Sequence, residues 1–168
     1  MRHLYLLRHA KSLWANPAQR DFERPLSEKG LRDAVKVARF ITRSKAEIEL
    51  VLCSSAQRTL QTLDAIRPVL APETEISVED SLYVFDASGL LSRIGKVPPE
   101  IRSLLIVGHN PTIQNLAYHV TPNGPTREKI STKYPTAALT IAALENRTWD
   151  LSDPQCTKSV FVSPADLN

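Results

Sequence analysis

Short apolar runs that end in polar turns are the feature that most limits what this chain can fold into. The first run, residues 4–7, leads directly into Arg8 and His9. Two further runs lie within residues 49–54 and 104–107. Continuous apolar runs of this length are typical of strands that helices bury on both faces. Strands that alternate with helices predict an α/β fold, here a single three-layer α/β/α sandwich with a mostly parallel central sheet.

The segments between these runs predict helices from their capping residues and apolar spacing. Ser27 is a good N-cap for a helix, and Ser54 or Ser55 can cap a second one. Asn110 followed by Pro111 predicts the start of a third, because proline suits the first helical position. Each of these helices follows, or leads towards, a predicted buried strand.

The C-terminal part of the chain gives weaker signals. Residues 121–135, with several prolines and polar side chains, predict a loop that could pass over the site. Residues 137–144 predict a further strand, with 148–151 as its hairpin partner. The tail from residue 152 onwards is expected to pack on the surface.

Length and composition fit one domain that spans residues 1–168. A chain of this length can bury roughly 70% of its unfolded surface, so it can form a core without disulfides. The net charge is +3 and the basic residues are spread along the chain, which does not favour a nucleic-acid partner. No signal-peptide pattern and no apolar run approaching ~18 residues is present, so we expect no membrane contact and a cytoplasmic location.

Polar residues that suit phosphate chemistry stand at three of the predicted strand ends. Arg8 and His9 follow the first strand, Arg58 falls in the first turn of a helix, and His109 follows a later strand. Ligands of open α/β sheets bind at this edge. Arginine matches phosphate oxygens, and a neutral imidazole can act as a nucleophile. Taken singly, each residue could instead be structural: a strand-end ion pair, a buried histidine or a solvent-facing helix residue.

Four sequence blocks in this order resemble the histidine phosphatase superfamily, which has a phosphoglycerate mutase-like fold, and in particular its SixA-type phosphohistidine phosphatase branch. Arg8-His9-Ala10 stands at the family's Arg-His-Gly motif. The resemblance covers nearly the whole chain. The blocks that carry it are Leu7-Arg8-His9-Ala10-Lys11-Ser12 with Trp14, Glu23-Arg24-Pro25-Leu26-Ser27-Glu28-Lys29-Gly30, Ser54-Ser55-Ala56-Gln57-Arg58-Thr59 and Gly108-His109-Asn110-Pro111.

The resemblance implies a two-step phosphatase reaction. His9 would attack phosphorus to give a phosphohistidine, which water would then hydrolyse, while Arg8, Arg58 and His109 bind the phosphoryl oxygens. The partner implied is a phosphorylated substrate, in the first place a phosphohistidine-bearing protein. No metal or other cofactor is expected, because the guanidinium groups supply the positive charge. Further residues expected in the phosphate pocket are Arg24, Ser12 and Asn110, with an ion pair to Asp21 or Glu23 as the alternative for Arg24.

Two departures from the family pattern bear on the chemistry. Ala10 replaces the motif glycine, which removes that residue's conformational freedom. Tyr83-Val84-Phe85 stands where mutases and broad phosphatases carry a glutamate general acid. A missing acid favours a leaving group that departs easily, such as a protonated imidazole, and argues against a mutase. Carboxylates that could still serve as the acid lie nearby at Glu79, Asp80 and Asp86.

The alternatives to this interpretation are a cysteine nucleophile, a metal site, a non-catalytic binding module and a phosphatase of small molecules. A cysteine nucleophile at Cys53 would need five residues before the arginine, whereas four separate it from Arg58 and none is glycine. Cys156 is the other cysteine, and both are expected to be inert thiols. A metal site lacks a suitable histidine spacing; the four histidines are His3, His9, His109 and His119. A non-catalytic phosphate-binding module and a phosphatase of small phosphomonoesters remain open alternatives.

Overall fold

A six-stranded sheet runs through the part of the chain that the computed structural model describes, residues 1–14, 16–84 and 86–168. Its order is β3-β2-β4-β1-β5-β6, with β1 to β4 mutually parallel and β5 antiparallel to both of its neighbours. The mostly parallel sheet predicted from sequence is therefore confirmed. Phe85, named above, lies outside the described residues. The strands are β1 (Arg2–Arg8), β2 (Leu50–Ser54), β3 (Glu75–Glu79), β4 (Ser103–Gly108), β5 (Leu139–Leu144) and β6 (Cys156–Val162).

Helices cover both faces of the sheet, which gives the predicted three layers. In β1, Leu4 and Leu6 enter one hydrophobic cluster while Tyr5 and Leu7 enter the other, as the alternation of side chains along a strand requires. Helices α1 and α2 pack in the Leu7 cluster, and α4, α5 and α6 pack in the Leu4 cluster. The helices are α1 (Glu28–Arg43), α2 (Gln57–Ile66), α3 (Ser81–Val84), α4 (Ala87–Ile94), α5 (Thr112–Val120) and α6 (Pro125–Thr132).

One of the three predicted N-caps is confirmed and two are wrong. Ser27 caps α1, since its Oγ accepts a hydrogen bond from the Gly30 amide at 3.0 Å. Helix α2 is preceded by Ala56 and α5 by Pro111 at the cap position. Among the described residues, no helix is long and apolar enough to cross a membrane.

The loop predicted over residues 121–135 is wrong in its central part, which forms α6. Pro125 occupies its first turn, where a missing amide proton costs nothing, and Ile130 is fully buried against the core. Because α6 has few apolar residues, its helical pattern is weak in the sequence. It packs against α5 and β6 rather than forming an extended cover.

The hairpin partner predicted at residues 148–151 is also wrong, because β6 in the tail pairs with β5 instead. Trp149 and Leu151 lie in the core rather than in a strand. The Trp149 indole donates a hydrogen bond to the carbonyl oxygen of Ile101 at 2.9 Å. This anchor fixes the segment between β5 and β6, so the tail completes the sheet as its edge strand.

Gly30 is the position where the start of α1 meets the segment after β1. A Cβ on Gly30 would lie 2.1 Å from the carbonyl oxygen of Lys11. The same oxygen accepts hydrogen bonds from the backbone amide and the hydroxyl of Ser27, at 2.8 and 3.1 Å. The backbone just after His9 is thereby fixed against a helix terminus.

We expect Gly30→Ala to lower the free energy of unfolding by about 1–3 kcal/mol, because a backbone clash outweighs the helix propensity gained. Urea denaturation measures the change. Gly95→Ala is the matched control, since the nearest atoms to its Cβ would be 3.6 Å away. That variant is expected to lose no stability. A Gly30→Ala protein as stable as the parent would contradict the close contact.

Candidate active site

The carboxyl ends of three adjacent parallel strands bring the predicted residues together. In the sheet β4 lies between β2 and β1, so the turns that follow these strands are neighbours. His9 follows β1, Arg58 lies in the first turn of α2 after β2, and His109 follows β4. The ring centroids of the two histidines are 5.3 Å apart, and the Arg58 guanidinium contacts both rings.

The hydrogen bonds of His9 define which ring nitrogen carries the proton. The Nδ1 atom lies 2.7 Å from the carbonyl oxygen of Ala10, which can only accept. The Nε2 atom lies 3.2 Å from Nε of Arg58, which can only donate. The neutral ring therefore holds its proton on Nδ1 and its lone pair on Nε2. That lone pair is what a nucleophilic histidine needs.

His109 has the opposite arrangement. Its Nδ1 accepts from Nη2 of Arg58 at 3.3 Å, so its proton lies on Nε2. The Nε2 proton is then donated to the hydroxyl of Ser54, 2.7 Å away. Ser54 is fully buried at the end of β2. Ser54 was a candidate helix cap and part of a family block in the sequence, and nothing in that pattern indicated a contact with the histidine.

Both imidazoles are held in the neutral form. Burial lowers the pKa of His9 to about 3, and the charges of Arg58 and Arg8 act in the same direction. Burial lowers the pKa of His109 to about 4, with Arg58 as the next cause. Near neutral pH the positive charge of the site therefore comes from its arginines, while the histidines offer lone pairs and N–H groups.

Asp21 is a residue of the site that sequence analysis did not assign to it. Its Oδ2 accepts from Nη2 of Arg58 at 3.0 Å and from the hydroxyl of Tyr83 at 2.7 Å. Its Oδ1 accepts from Nη1 of Arg24 at 2.8 Å, and its backbone oxygen accepts from Nη1 of Arg58 at 2.7 Å. Partial burial raises the pKa of Asp21, but the hydrogen bonds from Tyr83 and Arg24 and the charge of Arg58 bring it to about 2.

The three carboxylates considered from sequence as the general acid have other partners. Glu79 forms an ion pair with Arg93 at 2.6 Å. Asp80 accepts a hydrogen bond from Ser55, and Asp86 caps α4. The motif spacing predicted an acidic residue in the region at and after the end of β3. The carboxylate that contacts Arg58 comes instead from the loop after β1. The presence of acidic residues in that loop was the available signal.

The remaining predicted pocket residues lie around this centre. Arg8 donates from Nη1 to the carbonyl oxygen of Tyr134 at 2.8 Å, and Asn110 donates to the same oxygen at 3.1 Å. Burial lowers the pKa of Arg8, and the nearby charge of Arg58 adds to the shift. Asn110 also donates to Gln114 at 3.3 Å, so its amide nitrogen is bound to the protein rather than directed at His9.

Arg24 and Ser12 form a second layer beside Asp21. Besides its ion pair with Asp21, Arg24 donates to the hydroxyl of Ser12 and to the carbonyl oxygen of Leu13. Its guanidinium carbon lies 3.3 Å from the centroid of the Trp14 ring. The ion pair of Arg24 with Asp21 is therefore present, and a contact of Arg24 with phosphate stays a prediction. Ser12 contacts Arg24 and lies in an isolated bridge with Leu26.

The two alternative sites considered from the sequence were a cysteine nucleophile at Cys53 and a metal site built from histidines. Cys53 is fully buried in the core, and burial raises the pKa of its thiol to about 12, so it is not a thiolate near neutral pH. Cys53 and Cys156 are both free. Within residues 1–14, 16–84 and 86–168, no three His, Cys, Asp or Glu side chains form a group suited to a metal ion. The Nε2 atom of His119 lies 2.7 Å from the carbonyl oxygen of Leu151.

Comparison with curated proteins shows two mycobacterial relatives that align with this chain over most of their length. An uncharacterized protein of Mycobacterium tuberculosis is 30% identical over 158 residues, covering 92% of this chain and 96% of the relative. An uncharacterized protein of Mycobacterium leprae is also 30% identical, over 84% of this chain and 89% of the relative. The similarity to these proteins thus extends over most of the chain.

Solved structures and a family model agree on the family. A phosphohistidine phosphatase SixA structure from Agrobacterium tumefaciens has a TM-score of 0.80 and 28% identity, covering 95% of this chain and 97% of that one. A SixA structure from Nakamurella multipartitia has a TM-score of 0.82, 24% identity and coverages of 97% and 96%. Residues 4–83 match the model of the histidine phosphatase superfamily (branch 1). The chain therefore belongs to the histidine phosphatase superfamily, in its SixA-type branch.

Proposed function

We propose that this protein is a phosphatase that hydrolyses phosphoryl groups through a phosphohistidine intermediate on His9. The observation that carries the proposal is the His9 ring, whose proton is bound to the Ala10 carbonyl oxygen and whose Nε2 lone pair faces Arg58. A nucleophile beside a cation suits phosphoryl transfer, which depends on positioning and on stabilising charge at the oxygens. Histidine phosphatase relatives support the same activity.

In the first step the Nε2 lone pair attacks phosphorus and the leaving group departs with the electron pair of its bond. The Nδ1 proton stays on His9, where the Ala10 carbonyl oxygen stabilises the positive charge that develops on the ring. In the second step water attacks phosphorus and the P–N electron pair returns to Nε2, while the proton lost by water passes to phosphate or solvent. His9 carries the phosphoryl group on Nε2 after the first step and regains its starting tautomer at the end of the second.

Arg8 and Arg58 would bind the phosphoryl oxygens during both steps. His109 holds Arg58 in the free protein, since its Nδ1 accepts from that guanidinium. A phosphoryl dianion would raise the pKa of this imidazole, and a proton on Nδ1 would then be donated to the phosphoryl group. The guanidinium groups supply the positive charge, so we propose that the reaction needs no metal ion.

We propose a phosphohistidine-bearing protein as the substrate, with small phosphomonoesters as the alternative. The segments that carry Asp21, Tyr83 and the partners of Arg24 also carry four exposed apolar side chains, here called the apolar rim: Leu13, Trp14, Phe22 and Val84, whose exposed fractions run from 36% to 73%. Phe22 packs edge-on against Tyr83, whose ring in turn lies 5.5 Å from that of His109. Exposed apolar groups beside a charged pocket favour a macromolecular partner over a small sugar phosphate.

Residues 1–168 are proposed to act as one domain. The two free cysteines fit a reducing compartment, and we propose the cytoplasm as the location. A non-catalytic phosphate-binding module is less favoured, because mere binding does not require an unprotonated Nε2 on His9 beside Arg58.

We expect an acid-labile phosphoryl-enzyme to be trapped on the parent protein with radiolabelled substrate and to be absent from His9→Ala. Arg58→Ala should still turn over substrate, at a rate roughly 10²- to 10³-fold lower, because one preorganised donor is lost. Arg67→Ala is the matched control, since Arg67 is an exposed arginine just after α2 that pairs with Asp64. Label remaining on His9→Ala would overturn the assignment of the nucleophile.

The imidazoles of His9 and His109 should stay neutral as the pH falls from 7 to 5, because burial lowers both pKa values to about 3 and about 4. In the unfolded chain, histidine side chains take up protons as the pH falls through ~6.5. The unfolded state thus binds more protons below that pH, and these two groups make stability fall as the pH is lowered towards 4. Side-chain NMR titration measures the midpoints. A midpoint near ~6.5 for His9 would contradict its desolvation.

Replacing Leu13 and Val84 of the apolar rim by serine should raise KM for a phosphohistidine protein about tenfold, since exposed apolar contacts with the partner are lost. Turnover of p-nitrophenyl phosphate should change little, because neither apolar side chain can donate a hydrogen bond to the phosphoryl oxygens. Val35→Ser, at an exposed apolar position on α1, serves as the control. Equal effects on both substrates would show that the rim supports the pocket rather than a protein partner.

A further inference from the structure

A carboxylate inside a phosphate pocket needs a physical reason, because it repels the dianion that the pocket is built to bind. Asp21 is tied to the pocket by donors from Arg58, Arg24 and Tyr83. Its side chain is nevertheless 43% exposed, so a ligand in the pocket can reach it. The same Arg58 guanidinium that contacts it also contacts Nε2 of His9, which places Asp21 one guanidinium away from the nucleophile.

The hydrogen bonds of Asp21 leave it able to accept one more. An ionised carboxylate has about four lone-pair directions. The described contacts use two on Oδ2, from Arg58 and Tyr83, and one on Oδ1, from Arg24. One direction on Oδ1 remains. Its partner must be a donor, because the carboxylate carries no proton near neutral pH.

The leaving group decides whether such a carboxylate helps or hinders. An alkoxide leaving group must gain a proton, which ionised Asp21 does not have, and its developing negative charge is repelled. A phosphorylated imidazole leaves well only when its distal nitrogen carries a proton. The electron pair of the P–N bond then returns to the ring, the distal proton stays in place, and a neutral imidazole departs.

We propose that the Asp21 carboxylate accepts a hydrogen bond from the distal N–H of the substrate imidazole and so selects nitrogen-linked over oxygen-linked phosphoryl groups. This inference rests on the function proposed above and names the residue that sets its substrate class. Asp21 keeps the leaving group protonated without itself transferring a proton. For the substrate ring it does what the Ala10 carbonyl oxygen does for His9.

Asp21→Asn tests this role, because the amide keeps the size of the carboxylate and loses its charge. The probes are N-phosphorylimidazole and p-nitrophenyl phosphate, which are both too small to depend on the apolar rim. We expect the ratio of kcat/KM for the nitrogen-linked probe to that for the oxygen-linked probe to fall at least tenfold. Glu23→Gln, on the same exposed turn, is the matched control and should leave the ratio unchanged.

The pH profile gives a second readout that a merely structural role would not move. The basic limb of kcat for N-phosphorylimidazole reports loss of the distal proton in the enzyme–substrate complex. It should lie at lower pH in Asp21→Asn than in the parent, since the carboxylate no longer retains that proton. A shifted limb together with a lowered ratio would establish the contact.

An unchanged ratio would overturn the inference. Equal losses on both probes would mean that Asp21 only positions Arg58 and Arg24, and equal gains would mean that it only competes with phosphate. A parent enzyme that forms the His9 intermediate from p-nitrophenyl phosphate but does not hydrolyse N-phosphorylimidazole would also overturn it, while the His9 mechanism stands. Absence of any intermediate on His9 would instead defeat the proposed function.

Discussion

The buried cation of Arg58 is the constraint on which the rest of the site depends. Only 6% of this residue is exposed, and a buried charge costs several kcal/mol unless hydrogen bonds compensate it. The compensation comes from two imidazole nitrogens and from the carboxylate and backbone oxygen of Asp21. Each partner is thereby fixed in orientation. The neutral state of both histidines follows from the same burial, so one desolvated guanidinium determines tautomers, charge and geometry together.

The sheet order makes this arrangement available. Because β4 lies between β1 and β2, residues some fifty positions apart in the chain meet at one edge without long connections. Strands β2 and β4 are fully buried, and beside the strand ends Ser54 accepts a hydrogen bond from His109 while the Tyr134 carbonyl oxygen accepts from Arg8 and Asn110. The pocket is therefore built on strand ends, with the loop after β1 supplying the carboxylate of Asp21 that contacts Arg58.

The parts of the site that could be predicted are those tied to strong local patterns. His9, Arg58 and His109 each follow an apolar run, and parallel strands place such residues together. Asp21 lies in a loop without periodicity, and its position depends on contacts made by Arg24 and Tyr83, which no spacing reveals. Helix α6 and strand β6 were missed for a related reason: α6 is largely polar and β6 has only a three-residue apolar run at its end, so packing against distant elements decides their structure.

The contact between His9 and position 10 explains how the motif can vary. The atom that receives the Nδ1 proton is a backbone carbonyl oxygen, which every amino acid supplies. The methyl group of Ala10 points into the core, where it is fully buried among apolar neighbours. Exchange of glycine for alanine at this position therefore leaves the orientation of the nucleophile intact. The exchange is limited only by the space around the added methyl group. A change of this motif residue thus affects packing rather than chemistry.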